Sequence, residues 1–344
     1  MTLPTIKEIA KLAGVSTATV SRVINNYPHI SKKTRLRVQE VIQKFGYTPN
    51  AVARSLVTRK TATIGLVLSD ITNPFYAEIA RGIEDEARKY NYNVIFCSTD
   101  NTPEIQKTYI DLLYEKRVDG LIFASARIHD PDIEKLALEG IPFVLVNRKL
   151  EGIKTNYVVV DNFLGAYIVV EHLIKLGHQR IGFIRGPLDY STGIDRLEGY
   201  KKALLTYNIE FNGRLIKQGD FKRKSGYLAC KEFLRMRNRP TAIFGSNDFM
   251  ALGAWEAILE ASLRVPEDIA LVGFDDIELT SLKGIELTTV SQEKYRMGIK
   301  AVKILVDNIK HKEKKMTHQI ILKPKLIIRK SCGYNYKKSL ETKS

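Results

Sequence analysis

Cysteine is scarce in this sequence. Its three copies, Cys97, Cys230 and Cys332, are odd in number, far apart and in no metal-ligand spacing, which argues against a disulfide framework and fits reduced thiols. Long apolar runs are missing as well: no stretch of about 18 apolar residues occurs, so no membrane-spanning helix is expected. The opening "MTLPTIKEIAKLAG" puts charges where the apolar core of a secretory leader would run, and the expected location is cytoplasmic. Catalytic signatures are absent too, with no G-x-S-x-G elbow, Walker loop or HExxH in the chain. His172 and His178, in "EHLIKLGHQRIG", have no further ligand at useful spacing and read as structural. Asp275 and Asp276 are adjacent, and adjacent carboxylates need not face one cavity. The expectation is a protein that is not an enzyme and carries no cofactor or metal.

Acidic residues are the last scarcity, and a local one. Residues 1–60 hold only Glu8 and Glu40 against 11 Lys/Arg, so +9 of the formal net charge of +16 falls in about a sixth of the 344 residues. A basic module joined to a nearly balanced body points to a polyanionic partner at the N-terminal end. The length also exceeds what one core usually serves, so several domains are expected.

What is present in that basic module is helical. In "TIKEIAKLAGVSTATVSRVINN", Thr5 and Glu8 have capping-box spacing, and Ile6, Ile9, Ala10 and Ala13 recur at helical period. Gly14 is a left-handed stop, Ser16 an N-cap for a second helix, and Val15 can staple onto Val20. Val20, Val23 and Ile24 form the second helix's apolar stripe, leaving Thr17, Ala18, Ser21, Arg22 and Asn25 on a face without apolar cover. A third helix after Ser31 carries Val38, Val41, Ile42 and Phe45 on one stripe and stops at Gly46. Three short helices can close a small core. In a helix-turn-helix the first helix braces the second, whose exposed N-terminal face enters the major groove of DNA. Thr17, Ala18, Ser21 and Arg22 occupy that place, and the planar fork of Arg22 suits guanine O6 and N7.

The following "YTPNAVARSLVTRKTATIGLVLSD" breaks at Pro49, can cap at Asn50, and has a helical "AVARSL" too short to be stable alone. Such a helix would need DNA or a partner helix, with Leu56 free to wedge into a minor groove and Arg54 and Arg59 near phosphates.

On these two stretches the chain resembles the lactose-repressor (LacI/GalR) family of bacterial transcription regulators, and the similarity covers almost the whole sequence. The resemblance implies an N-terminal all-α helix-turn-helix headpiece, paired hinge helices, and an α/β periplasmic-binding-protein-like body of two parallel-sheet lobes. It gives Thr17, Ala18, Arg22 and Leu56 base-reading and wedge roles and makes Asn50 open the hinge helix. The expected partners are double-stranded operator DNA, read as a pseudo-palindrome, and a second copy of the chain. The expected divisions are a headpiece over 1–48, a hinge over 49–61, a body over 62–331 and a polar tail over 332–344. Within the body, one lobe takes about 62–161 and 292–322, and the other about 162–291 and 323–331. The tail "KSCGYNYKKSLETKS" lacks a heptad, so a homodimer rather than a coiled-coil tetramer is expected.

The body supports this independently. Strand-like "TIGLVLSD", "NVIFCS", "GLIFAS", "PFVLVN", "RIGFIRG", "TAIFGSND" and "IALVGFDD" alternate with helical runs, the pattern of parallel sheets with crossover helices. Ligands of such sheets bind outside the carboxyl ends of the strands. There the chain places Asp70, Asn73, Phe75 and Tyr76, then Asn147 and Arg148, then Asn247 and Asp248, then Asp275 and Asp276, with Arg196, Phe221 and Gln292 on nearby loops or helix starts. Bidentate polar groups beside aromatic plates suit a sugar, whose hydroxyls donate and accept on a ring with apolar faces. Any one of them can instead be a helix cap or a loop ion pair. Asn73, Phe75, Tyr76, Arg148, Arg196, Phe221, Asn247, Asp275 and Gln292 also resemble the ligand shell of ribose-type binding proteins. Asn147 departs from it, an amide where that pattern has an aspartate. A neutral pentose or hexose is the expected effector, with a sugar phosphate as the reading if Arg148 and Arg196 serve an anion. A different class of effector, implied by the catabolite-control branch of the family, is a phosphorylated carrier protein.

Overall fold

The computed structural model describes residues 4–47, 60–311 and 317–334, in two compact units, Met1–Thr61 and Ala62–Ser344. The first contains α1 (Ile6–Ala13), α2 (Thr17–Ile24) and α3 (Lys32–Phe45). Each start is capped by the residue type its sequence offers. The Thr5 N–H donates to Glu8 Oε2 at 2.6 Å while the Glu8 N–H donates to Thr5 Oγ1, and Ser16 and Ser31 accept from the N–H groups of Thr19 and Thr34 at 3.1 and 3.2 Å. Gly14 and Gly46 stop α1 and α3 at φ values of 62° and 60°, a conformation glycine adopts without a Cβ penalty. Ile9, Ala10, Ala13, Val20, Val23 and Val38 form the core between the helices. Phe45 does not join them. It shares the stripe of Val38 but lies in the last turn of α3, beyond the cover of the other two helices, and stays 43% exposed.

The second unit alternates strands and helices. Its first half runs β1 (Thr63–Leu68), α4 (Pro74–Lys89), β2 (Asn93–Ser98), α5 (Pro103–Glu115), β3 (Gly120–Phe123), α6 (Pro131–Leu138), β4 (Phe143–Val146) and β5 (Tyr157–Val160). There follow α7 (Asn162–Lys175), β6 (Ile181–Arg185), α8 (Ser191–Thr206), β7 (Ile216–Gln218), α9 (Arg223–Leu234), β8 (Ala242–Gly245), α10 (Asp248–Glu260) and β9 (Ala270–Val272). The chain ends through β10 (Thr289–Ser291), α11 (Lys294–Lys310), β11 (Gln319–Leu322) and β12 (Lys325–Ile327).

These strands make a six-stranded parallel sheet in the order β11-β5-β4-β3-β1-β2 and a four-stranded parallel sheet in the order β7-β6-β8-β9. A short antiparallel pair, β10 with β12, flanks in sequence the segments α11 and β11 that return to the first lobe. The central strands read as unbroken apolar runs because helices cover both faces. Each sheet therefore forms its own lobe, and the chain crosses between lobes three times: after β5, before α11 and after β11. Helix α11 packs on α4, placing Met297, Ala301 and Val302 against Ile79 and Ile83. The two axes approach closely at Gly82 and Gly298, where an added Cβ would overlap the backbone carbonyls of Tyr295 and Ile79.

Candidate ligand cleft and DNA-facing helix

The carboxyl ends of the two sheets supply the walls of one cleft. From the first lobe come Asn73, Phe75, Tyr76, Asn101, Asn147 and Arg148, with Asp70 at the rim. From the second come Thr192, Arg196, Phe221, Asn247 and Asp275, with Asp220 and Lys222 beside the Phe221 ring. Nine of the ten cleft residues expected from the sequence thus line one cleft. The tenth, Gln292, is fully buried behind it and donates from Nε2 to Asp275 Oδ1 at 2.6 Å.

Two of the nine do helix-capping work as well. Asn73 accepts from the Phe75 N–H at 3.0 Å and opens α4, with Pro74 in the first turn. Asn247 accepts from the Met250 N–H at 2.9 Å and donates to the Phe221 carbonyl at 3.0 Å. That second bond steadies a strained loop, since Phe221 has φ 68°. Asn101, Asn147 and Asp275 have φ values of 60°, 67° and 133°. Of these four cleft residues with positive φ, Phe221 is the one whose residue type disfavours the left-handed backbone.

Two arginines dominate the interior. The guanidinium of Arg148 lies 3.7 Å from the Tyr190 ring centroid and donates to Asn101 Oδ1, the Ser125 carbonyl and the Tyr76 hydroxyl. The guanidinium of Arg196 lies 3.7 Å from the Phe274 ring, donates to Asn162 Oδ1 at 2.9 Å and to the Ser246 carbonyl, and stands 3.9 Å from Asp275. Burial lowers Arg196 to about 10 despite that acid. Burial also lifts Asp275 to about 8, against the pull of Arg196, and lifts Asp248, which accepts from Thr289 Oγ1 and the Ile277 N–H, to about 6. Asp248 therefore braces the turn that carries Asp275 instead of facing the cleft. Asn147 Oδ1 and Arg148 Nε, on consecutive residues, are buried without a hydrogen-bond partner among the described residues.

Sequence reasoning missed Asn101, Thr192 and Tyr190. Asn101 stands just beyond β2, and the strand-end rule finds it when applied to "NVIFCSTDN". Tyr190 gives no such signal, because its ring reaches Arg148 only through the path of the loop after β6. The cleft between the walls is narrow, with a cavity volume of ≈ 30 Å3.

In the first unit, Thr17, Ala18 and Arg22 are exposed on α2 and Ser21 is half-buried beside them. The helix is anchored through Val20 and Val23 on the opposite side. Asn50, Arg54 and Leu56 lie outside the described residues.

A capped three-helix module of helix-turn-helix form, followed by a two-lobed α/β body with a polar cleft, defines the architecture of a DNA-binding regulator. Models of two families match: residues 5–50 match the bacterial regulatory proteins of the lacI family, and residues 61–330 match the periplasmic binding proteins and sugar binding domain of the LacI family. The chain belongs to the LacI family of DNA-binding transcriptional repressors. It is similar to the HTH-type transcriptional repressor PurR of Haemophilus influenzae (strain PittEE), at 38% identity over 334 residues, 96% of this chain and 98% of the relative. PurR of Histophilus somni (strain 2336) is likewise 38% identical over 331 residues, 96% of this chain and 99% of that one. Among solved structures, the Lac repressor dimer bound to operator and the anti-inducer ONPF matches with a TM-score of 0.86 at 31% identity, covering 96% and 99% of the two chains. A transcriptional regulator CelR–cellobiose complex matches with a TM-score of 0.72 at 33% identity, covering 95% and 99%. No helix among the described residues is long and apolar enough to cross a membrane.

Proposed function

We propose that this repressor binds a pseudo-palindromic operator as a homodimer and that a sugar held between the lobes controls it. The observation that carries the sugar reading is the pair of unpartnered buried atoms on consecutive residues, the Asn147 Oδ1 acceptor and the Arg148 Nε donor. A hydroxyl both donates and accepts, so vicinal hydroxyls satisfy both atoms at once. Phe75, Tyr76 and Phe221 supply the apolar plates for the faces of a ring. The dimer reading is supported by β2, an edge strand that leaves Ile95 and Phe96 38% and 43% exposed, a liability unless another surface covers them. In the DNA-bound state Arg22 reads a base edge, Thr17, Ala18 and Ser21 contact neighbouring positions, and Asn50, Arg54 and Leu56 serve the hinge.

Calorimetric titration of the full chain with pentoses, hexoses and their phosphates, alongside purine bases as flat heterocycles, tests the effector class. Saturable binding of a sugar, lost in Arg196→Ala, supports the reading. Binding of a purine alone replaces it, and silence across the panel leaves a protein effector as the better account.

A further inference from the structure

We propose that the effector is an anionic sugar, whose carboxylate or phosphate meets Arg148, and that Asn147 sets this preference. The inference rests on the sugar reading above and narrows it. Arg148 is 1% exposed, and its described polar partners, Asn101 Oδ1, the Ser125 carbonyl and the Tyr76 hydroxyl, are all neutral. A buried cation ordinarily has an acid beside it, because desolvation is otherwise uncompensated. The Tyr190 ring face at 3.7 Å offsets only part of that cost.

None of the acids that line the cleft forms an ion pair with Arg148 among the described residues. Asp275 faces Arg196 at 3.9 Å and accepts from Gln292 at 2.6 Å. Asp70 accepts from the N–H and hydroxyl of Thr72 at 2.9 and 2.6 Å. Asp220 accepts from the Lys222 N–H at 2.9 Å. The residue next to Arg148 is an amide. Asn147 can take a hydroxyl proton on its unpaired Oδ1 but adds no negative charge, whereas a carboxylate there would supply the missing countercharge from the protein itself. The free Arg148 Nε–H points to the same conclusion, since a hydrogen bond to an ionised oxygen is stronger than one to a hydroxyl. A neutral sugar would fill the hydrogen bonds and leave the charge unanswered.

The test is calorimetry on the full chain with matched ligands: ribose against ribose 5-phosphate, and glucose against glucose 6-phosphate and glucuronate. An anionic member should bind roughly tenfold or more tightly than its neutral parent, and the phosphate and uronate arms tell which anion the site takes. Asn147→Asp should shrink or reverse that ratio; both residues tolerate the left-handed backbone at this position, φ 67°. If neutral sugars bind as tightly as their anionic partners in the parent, this proposal falls and the sugar reading stands. If no sugar of either kind binds, both fall together. The comparison within the parent needs no variant, so poor folding of Asn147→Asp would not rescue the idea.

Discussion

Asp275 carries a cost that its neighbours only partly relieve, and that cost is measurable as a pH dependence. Its ordinary value is 3.8 and burial lifts it to about 8, with Asp248 adding to the rise and Arg196, Lys294 and Gln292 opposing it. Between those two values the folded chain keeps a proton that the unfolded chain has released, so stability falls as pH rises through that window. Asp248, raised to about 6, acts in the same direction up to that pH. Urea unfolding of Asp275→Asn between pH 4 and 8 should show a shallower decline than the parent, and an unchanged slope would place the burial cost elsewhere. On α2 the corresponding residue is Arg22. Arg22→Ala should cost roughly 1–3 kcal/mol on the preferred operator and relax discrimination at one base pair per half-site. Equal losses on specific and random DNA would assign it to phosphates. At this scale the sequence was legible where strand ends put polar residues into the cleft, as at Asn147, Arg148 and Asp275. It was not legible for Tyr190, whose contact depends on loop path, nor for the double duty of Asn73 and Asn247 as caps.

Helix α11 begins with a cation, which the helix dipole disfavours at that end. Lys294 is nevertheless buried there, donating to the backbone carbonyls of Asp275 and Asp276 and pairing with Glu78 of α4 at 2.9 Å. One side chain thus ties the first lobe's helix to the turn that presents Asp275, beside a crossing between lobes. Lys294→Met should destabilise the body by about 1.5–3 kcal/mol, seen as a lower urea midpoint with unchanged slope, and should weaken ligand binding as the turn loosens. A variant as stable as the parent would mean that Glu78 and the two carbonyls find water without loss. Element identity was plain from period and caps: Thr5, Gly14, Ser16, Ser31 and Gly46 all do what their types favour. The limit of that reading is Phe45, which shares the periodic stripe of Val38 but runs past its cover, because periodicity gives a face and not the length over which a neighbour shields it. Gln292 shows a related limit. Its place on a loop or helix start near the cleft was visible, whereas its burial behind Asp275 was not.

At the scale of the molecule, the headpiece and body are separate compact units, and the proposed function requires that ligand and operator influence each other's affinity. The proposed ligand sits between two lobes, and a ligand that favours one lobe arrangement shifts the equilibrium toward it. The linkage is reciprocal, since whatever factor the ligand applies to operator affinity, the operator applies to ligand affinity. The alternation of strands and helices made two lobes legible, but neither the width of the cleft nor the sense of the response is written in local pattern. The most direct test is fluorescence anisotropy of a labelled operator, titrated with the full chain in the absence and presence of the sugar that calorimetry identifies. Asp275→Ala and Arg196→Ala should bind the operator as the parent does without ligand, while the shift that sugar produces in the parent disappears at the same sugar concentration. If both variants shift as the parent does, the effector does not act through this cleft.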